Sequence, residues 1–147
     1  MAKEIRHFGI VVKDLQESLR FYQDGLGFEI VRQADEFGPY LETVLGLRQA
    51  SVTTVKMCLP GHATLIELIE FHHPEAQERD LRMNECGPTH LSLTVDDVEA
   101  EYAKLREYGT AFVSEPQTSP DGYARVAFCR APEGALIELV EILGNKT

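Results

Sequence analysis

Leu65-Ile66-Glu67-Leu68-Ile69-Glu70 and Leu136-Ile137-Glu138-Leu139-Val140-Glu141 differ at one position, and there only by Ile for Val. A second echo lies upstream of each copy. His7 opens a strand-like run that reaches Asp14, and His90 opens another that reaches Asp97 at the same interval. Repetition of this kind governs architecture. The chain therefore reads as two modules, each with a histidine on its first strand and a glutamate on its last. Two histidines and two glutamates related by a pseudo-twofold axis make a metal-binding set.

Each half reads as strand, helix and three further strands. In the first, Ile5–Val12 is a strand, and Asp14 caps a helix with Glu17 three residues on as a capping box. Leu15, Leu19, Phe21, Tyr22 and Leu26 give that helix an apolar face, and Gly25 and Gly27 stop it. Phe28–Gln33, Val52–Leu59 and Thr64–Phe71 follow as strands, with an additional stretch, Gly38–Leu47, that fits a short helix. In the second half, the expected strands are His90–Val95, Ala111–Ser114, Ala124–Arg130 and Ala135–Leu143. Asp96 or Asp97 caps a helix lined by Val98, Tyr102, Leu105 and Tyr108 and ended by Gly109.

Module one spans about 5–72, a polar, proline-bounded connecting arm about 73–87, and module two about 88–143. Each module is too small to bury its sheet alone, so the expectation is one α+β domain over 1–147.

Bulk properties narrow the function. The net charge of −10 and the lack of a basic stripe argue against nucleic acid. No apolar run is long enough to span a membrane, and the N-terminus lacks a signal-peptide core. Cys58, Cys86 and Cys129 are odd in number, widely spaced and read as small, mostly buried side chains, which suits a reducing cytoplasm.

Strand alternation orients the candidate ligands. His7 shares a face with Gly9 and Val11, and His90 with Ser92 and Thr94; the bulkier residues between them face the helices. Each histidine is thus expected on a face of small or polar residues, as an open cleft requires. On the last strands, Glu67 and Glu70 point to opposite sides, as do Glu138 and Glu141. Alternation leaves that choice open, but both halves must make the same one. His72 and His73 are adjacent, so they face opposite ways, and they read as arm residues.

Four elements in order carry a family resemblance: His7 with Val12 and Asp14; Leu65-Ile66-Glu67-Leu68; Gly87-Pro88-Thr89-His90 with Val95-Asp96-Asp97; and Pro132-Glu133-Gly134-Ala135-Leu136-Ile137-Glu138-Leu139. From Ile5 to Leu143 the chain resembles the vicinal oxygen chelate superfamily, which includes glyoxalase I, methylmalonyl-CoA epimerase, extradiol dioxygenases and bleomycin-resistance proteins. The resemblance implies two tandem βαβββ modules forming a curved, cleft-enclosing mixed sheet with helices outside. It also implies His7, Glu67, His90 and Glu138 as ligands of one divalent ion (Zn, Ni, Co, Fe or Mn), which selects Glu67 and Glu138 over Glu70 and Glu141. Nitrogen and oxygen donors without thiolate suit those ions.

The function implied is a lyase or isomerase of glyoxalase or epimerase type. Its substrate would be a small α-hydroxy or α-keto compound, or a thioester, reacting through a metal-stabilised enolate. Glu138 or Glu67 is the candidate catalytic base. Arg82 and Asn84 on the arm, Tyr40 in the inserted helix and Lys56 on a strand are candidate substrate contacts. An Fe(II) extradiol-type dioxygenase would use a two-histidine, one-carboxylate set, against which Glu67 counts as a fourth ligand. A metal-free antibiotic-binding protein would lack the set and favour aromatic walls, whereas this chain has no Trp. Relatives commonly form homodimers, with modules paired within one chain or swapped between two.

Overall fold

The computed structural model describes residues 1–144. Its contacts divide the chain into two compact units, Met1–Glu78 and the remainder from Arg79. Both are α+β, and each repeats one plan.

In the first unit β1 (His7–Val12) leads into α1 (Leu15–Leu19), which continues as a π-helical stretch (Arg20–Gly25). Then come β2 (Glu29–Phe37), α2 (Pro39–Leu45), β3 (Ser51–Cys58) and β4 (Leu65–His73). The sheet order is β1-β4-β3-β2, with β1 parallel to β4 and the other pairs antiparallel. The second unit runs β5 (His90–Thr94), α3 (Val98–Glu107), β6 (Gln117–Thr118), β7 (Ala124–Arg130) and β8 (Leu136–Ile142). Its order, β5-β8-β7-β6, is the same, again with only the first pair parallel. A parallel pair needs a crossover, and the helix and middle strands between first and last strand supply it.

One face of each sheet is its apolar core. In the first unit Ile10 and Val12 join Val55, Met57, Ile66 and Leu68 with Leu15, Leu19 and Tyr22 of the helix, all buried. Tyr22 meets Phe28 edge-on, with ring centres 6.0 Å apart. In the second unit Ala127, Cys129, Ile137 and Leu139 join Val98 and Leu105 of α3. Both helices begin where the sequence places their caps: Asp14 Oδ1 accepts from Glu17 N, and Asp97 Oδ1 from Ala100 N, each at 3.0 Å.

The repeated motif explains a second tie. Glu70 Oε2 accepts from Leu15 N at 2.7 Å, and Glu141 Oε2 from Val98 N at 3.0 Å. The last glutamate of each copy thus satisfies the first free N–H of its own unit's helix and places negative charge at the positive end of that helix. Glu141→Ala is expected to cost about 1–2 kcal/mol, the range for a lost helix-terminal hydrogen bond to a charged, part-buried group. Glu70→Ala should cost a similar amount, and urea unfolding of both variants checks this.

Several local expectations differ from the structure, among them the bounds of β2, which runs to Phe37 rather than Gln33. The run Ala111–Ser114 makes only a bridge between Phe112 and Cys129, and the edge strand forms later, at Gln117–Thr118. Arg130 N and Val113 N still exchange bonds with Ala111 O and Phe128 O, but Pro116 then offers no N–H and the ladder lapses before it resumes. His72 and His73 both lie within β4 rather than the arm; His72 Nε2 is 2.7 Å from Thr53 Oγ1, which donates to Asp35 at 2.6 Å, and His73 Nδ1 is 3.1 Å from Gln49 O. Among the described residues, no helix is long and apolar enough to cross a membrane.

All three cysteines are free, and their burial differs: Cys129 is buried, Cys58 intermediate and Cys86 exposed. Burial pushes the Cys129 thiol up to about 12. A thiol needs its thiolate to react. Ellman's reagent at pH 8 should therefore modify Cys86 first and Cys129 only after denaturation, as peptide mapping of the labelled chain would show.

Candidate functional site

The parallel pairing of first and last strand places the candidate ligands. β1 sets His7 opposite Leu65 and Gly9 opposite Glu67, and β5 sets His90 opposite Leu136 and Ser92 opposite Glu138. Histidine and glutamate then lie two residues apart on adjacent strands and share the face turned away from the helix. His7 Nε2 is 3.9 Å from Glu67 Oε1, and His90 Nε2 is 3.6 Å from Glu138 Oε2. Glu70 and Glu141 are on the opposite faces, at the helices.

These separations are too long for good hydrogen bonds. Two donors bound to one ion at 2.0–2.2 Å, with angles of 90–110°, stand roughly 2.8–3.6 Å apart. The His90–Glu138 pair, at 3.6 Å, is at the upper end of that spacing, and the His7–Glu67 pair, at 3.9 Å, is just beyond it. The donor chemistry fits as well, since each pair supplies one imidazole nitrogen and one carboxylate oxygen, the set that suits a borderline divalent ion. Within each unit one histidine and one glutamate are brought together, and among the described residues no three His, Cys, Asp or Glu side chains gather as one cluster.

The two histidines are held differently. His90 Nδ1 is 2.8 Å from Thr89 Oγ1, and its ring meets Phe128 edge-on at 5.3 Å. A proton on Nδ1, given to that hydroxyl, leaves Nε2 with its lone pair toward Glu138. His7 Nδ1 is buried and has no hydrogen-bond partner among the described residues.

Around Glu67 the surroundings are cationic. Lys56, directly opposite on β3, brings Nζ to 3.4 Å from Glu67 Oε2, with both side chains largely covered. α2 lies on this same face, because Leu41 packs with Val52, Ile69 and Phe71, which alternate in step with Lys56 and Glu67. Tyr40 projects from α2 with 81 % of its surface exposed. The inserted helix thus borders the sheet face that carries His7 and Glu67.

The remaining candidates are in the second unit, ahead of β5. Arg82 and Asn84 are exposed; Arg82 Nε is 3.6 Å from Asp80, and its backbone N–H donates to Glu85 Oε2 at 3.3 Å. The segment is tied down by Arg130, whose Nη1 donates to Leu81 O and Gly134 O at 3.1 and 3.3 Å. Sequence reading missed both this anchor and the Lys56–Glu67 pair. Each depends on register between strands that the linear pattern does not carry.

A family model described as Glyoxalase/Bleomycin resistance protein/Dioxygenase superfamily matches residues 4–139. The chain is 30 % identical over 141 residues to a probable lactoylglutathione lyase of Synechocystis, covering 95 % of this chain and 96 % of that one. It is 26 % identical over 147 residues to a 2-epi-5-epi-valiolone epimerase of an Actinomyces species, covering 96 % and 80 %. A glyoxalase family protein of Bacillus cereus has a similar solved structure, with a TM-score of 0.87, 28 % identity and 97 % of each chain covered. With the repeated module and the paired His–Glu sites, these matches make the chain a member of the Glyoxalase/Bleomycin resistance protein/Dioxygenase superfamily.

Proposed function

We propose that the protein is a metal-dependent lyase or isomerase of glyoxalase or epimerase type. Its substrate is a small α-hydroxy or α-keto compound, or a thioester. The observation that carries this reading is that both units hold the same His–Glu pair, on the same strands, at 3.9 and 3.6 Å. Relatives that include a lyase and an epimerase support it.

His7, Glu67, His90 and Glu138 are the residues that would hold the ion. A divalent ion there would supply Lewis acidity to two vicinal oxygens of the substrate. Glu138 or Glu67 takes the proton from the carbon beside the carbonyl, and a carboxylate on the other side returns it. Two equivalent carboxylates suit both an epimerase, which returns the proton to the opposite face, and a lyase, which returns it to the neighbouring carbon. Lys56, Tyr40, Arg82 and Asn84 are assigned to substrate contact, and the working assembly is a homodimer.

Incubation in D2O with the hemithioacetal of a 2-oxo aldehyde, or with an α-substituted thioester, tests this. Metal-reconstituted protein is expected to place solvent deuterium next to the carbonyl of one of them. Oxygen-dependent ring cleavage of a catechol by the Fe(II)-loaded protein, with no exchange in either substrate class, would establish the extradiol reading instead.

A further inference from the structure

Because the two sheets repeat strand for strand, each position has a counterpart, and unequal counterparts show where the halves diverge in role. The residue opposite Glu67 is Lys56; the residue opposite Glu138 is Phe128. One strand further out, Arg32 is directly opposite Lys56. Glu67, Lys56 and Arg32 therefore form a row across β4, β3 and β2 on the face that carries His7.

This row is electrostatically unusual. Like charges directly opposed on antiparallel strands are unfavourable, and the Lys56 side chain is only 25 % exposed. The chain carries 24 acidic and 14 basic residues, so a carboxylate on β2, where Arg32 faces Lys56, would be the commoner solution. Among the described residues Lys13, Lys104, Arg82 and Arg125 each have a carboxylate beside them (Glu78, Glu101, Asp80 and Glu99), whereas Arg20 and Arg48, like Arg32, have none. Arg32 is exposed, and its side chain has no ion pair or hydrogen bond among the described residues. Lys56 shares its carboxylate with His7. If Glu67 also serves an ion, the row holds more positive charge than one carboxylate balances.

We propose that Arg32 and Lys56 together seat an oxyanion of the substrate, a carboxylate or a phosphate, so that the substrate is a small acid. The planar guanidinium supplies paired donors and the ammonium a point charge, the combination that recognises such groups. Phe128 stands in the corresponding place of the second unit, where Arg130 on the same face is taken up by Leu81 O and Gly134 O, so among the described residues the second unit does not repeat this cation pair. The inference rests on the function proposed above in treating the face around Glu67 as the substrate face.

The test is a titration of 15N-labelled full-length protein at constant ionic strength with inorganic phosphate and with succinate, followed by amide shifts. Saturable shifts are expected in β2 and β3. Arg32→Gln and Lys56→Gln should each weaken binding by about tenfold, the value of one charge-assisted hydrogen bond. Lys56→Arg should keep most of it, and Arg125→Gln should bind as the wild type does. Tighter phosphate binding assigns a phosphorylated substrate, and tighter succinate binding a carboxylic acid. No saturable shift from either anion, with or without Zn, overturns the proposal, as does equal binding by all variants. Metal content measured on the same samples separates the two ideas. Anion binding without metal uptake sinks the metal-dependent function alone, and metal uptake without anion binding sinks this inference alone.

Discussion

Glu138→Gln is expected to lower kcat/KM by about 10³-fold, within the range found for loss of an acid–base group, while leaving stability nearly unchanged. Gln keeps the shape of the side chain but removes its charge and its capacity to take a proton. The residue is placed for that outcome: it is on the face turned from α3, its side chain is partly exposed, and it stands 3.6 Å from His90 Nε2. Glu141, three residues on, is on the other face and holds Val98 N–H. Glu141→Gln should therefore shift the urea midpoint and leave the proposed turnover by the folded protein largely intact. Steady-state kinetics and urea unfolding on both variants separate the roles. Equal loss of activity with equal loss of stability in the two would contradict the division of labour between the motif's glutamates.

Leu139→Ala is expected to cost about 2–5 kcal/mol, the range for deleting a fully buried leucine side chain. Leu139 has no exposed surface, is opposite Ala127 and Leu93, and faces the core formed with Val98 and Leu105. Its small cross-strand neighbour Ala127 cannot move in to fill the space. Leu68 is the counterpart, equally buried and opposite Val55 and Ile10. There the flanking residues are larger and the helix face adds Tyr22, so Leu68→Ala should fall in the same range. Either loss is a large part of the roughly 5–15 kcal/mol that holds a domain together. Urea unfolding by far-UV circular dichroism measures both. A loss below 1 kcal/mol at either position would mean that the core can collapse onto the gap.

The repeat made the architecture readable because the two halves check each other. An apolar alternation that is ambiguous once becomes specific when it recurs with the same histidine, aspartate cap and glutamates. The β7 bounds, Ala124–Arg130, agree with the sequence reading residue for residue; Asp14 caps the first helix as expected, and of Asp96 and Asp97 it is Asp97 that caps the second. The π-helical stretch at Arg20–Gly25 carries no signal distinct from an ordinary helical face. The edge strand in the second unit was misplaced because Phe112 and Val113 look strand-like, while Pro116 decides where the ladder can continue. Burial of Cys86 was expected from habit; the residue instead sits exposed just before Gly87.

The candidate site was legible in part. Alternation separates Glu67 from Glu70 but says nothing of which faces a histidine; the location of α1 and α3 supplies that, through the N–H groups that Glu70 and Glu141 hold. Lys56 was noticed as a strand cation, yet its partner could not be. That pairing follows from the β3–β4 register, which sets Lys56 against Glu67 and Thr53 against Glu70. A shift by one residue would have turned Lys56 to the core face. The same register builds the Asp35–Thr53–His72 chain, which links three strands on the face opposite Glu67.

Elemental analysis of protein purified without a histidine tag tests the central claim most directly, comparing the wild type with His7→Ala, Glu67→Ala, His90→Ala and Glu138→Ala. About one transition-metal ion per chain is expected in the wild type, with loss of it in all four variants, since an ion held by four donors would lose affinity steeply when one is removed. Wild-type protein that takes up no metal after reconstitution, or that keeps it in the His7 and Glu67 variants, would contradict the account.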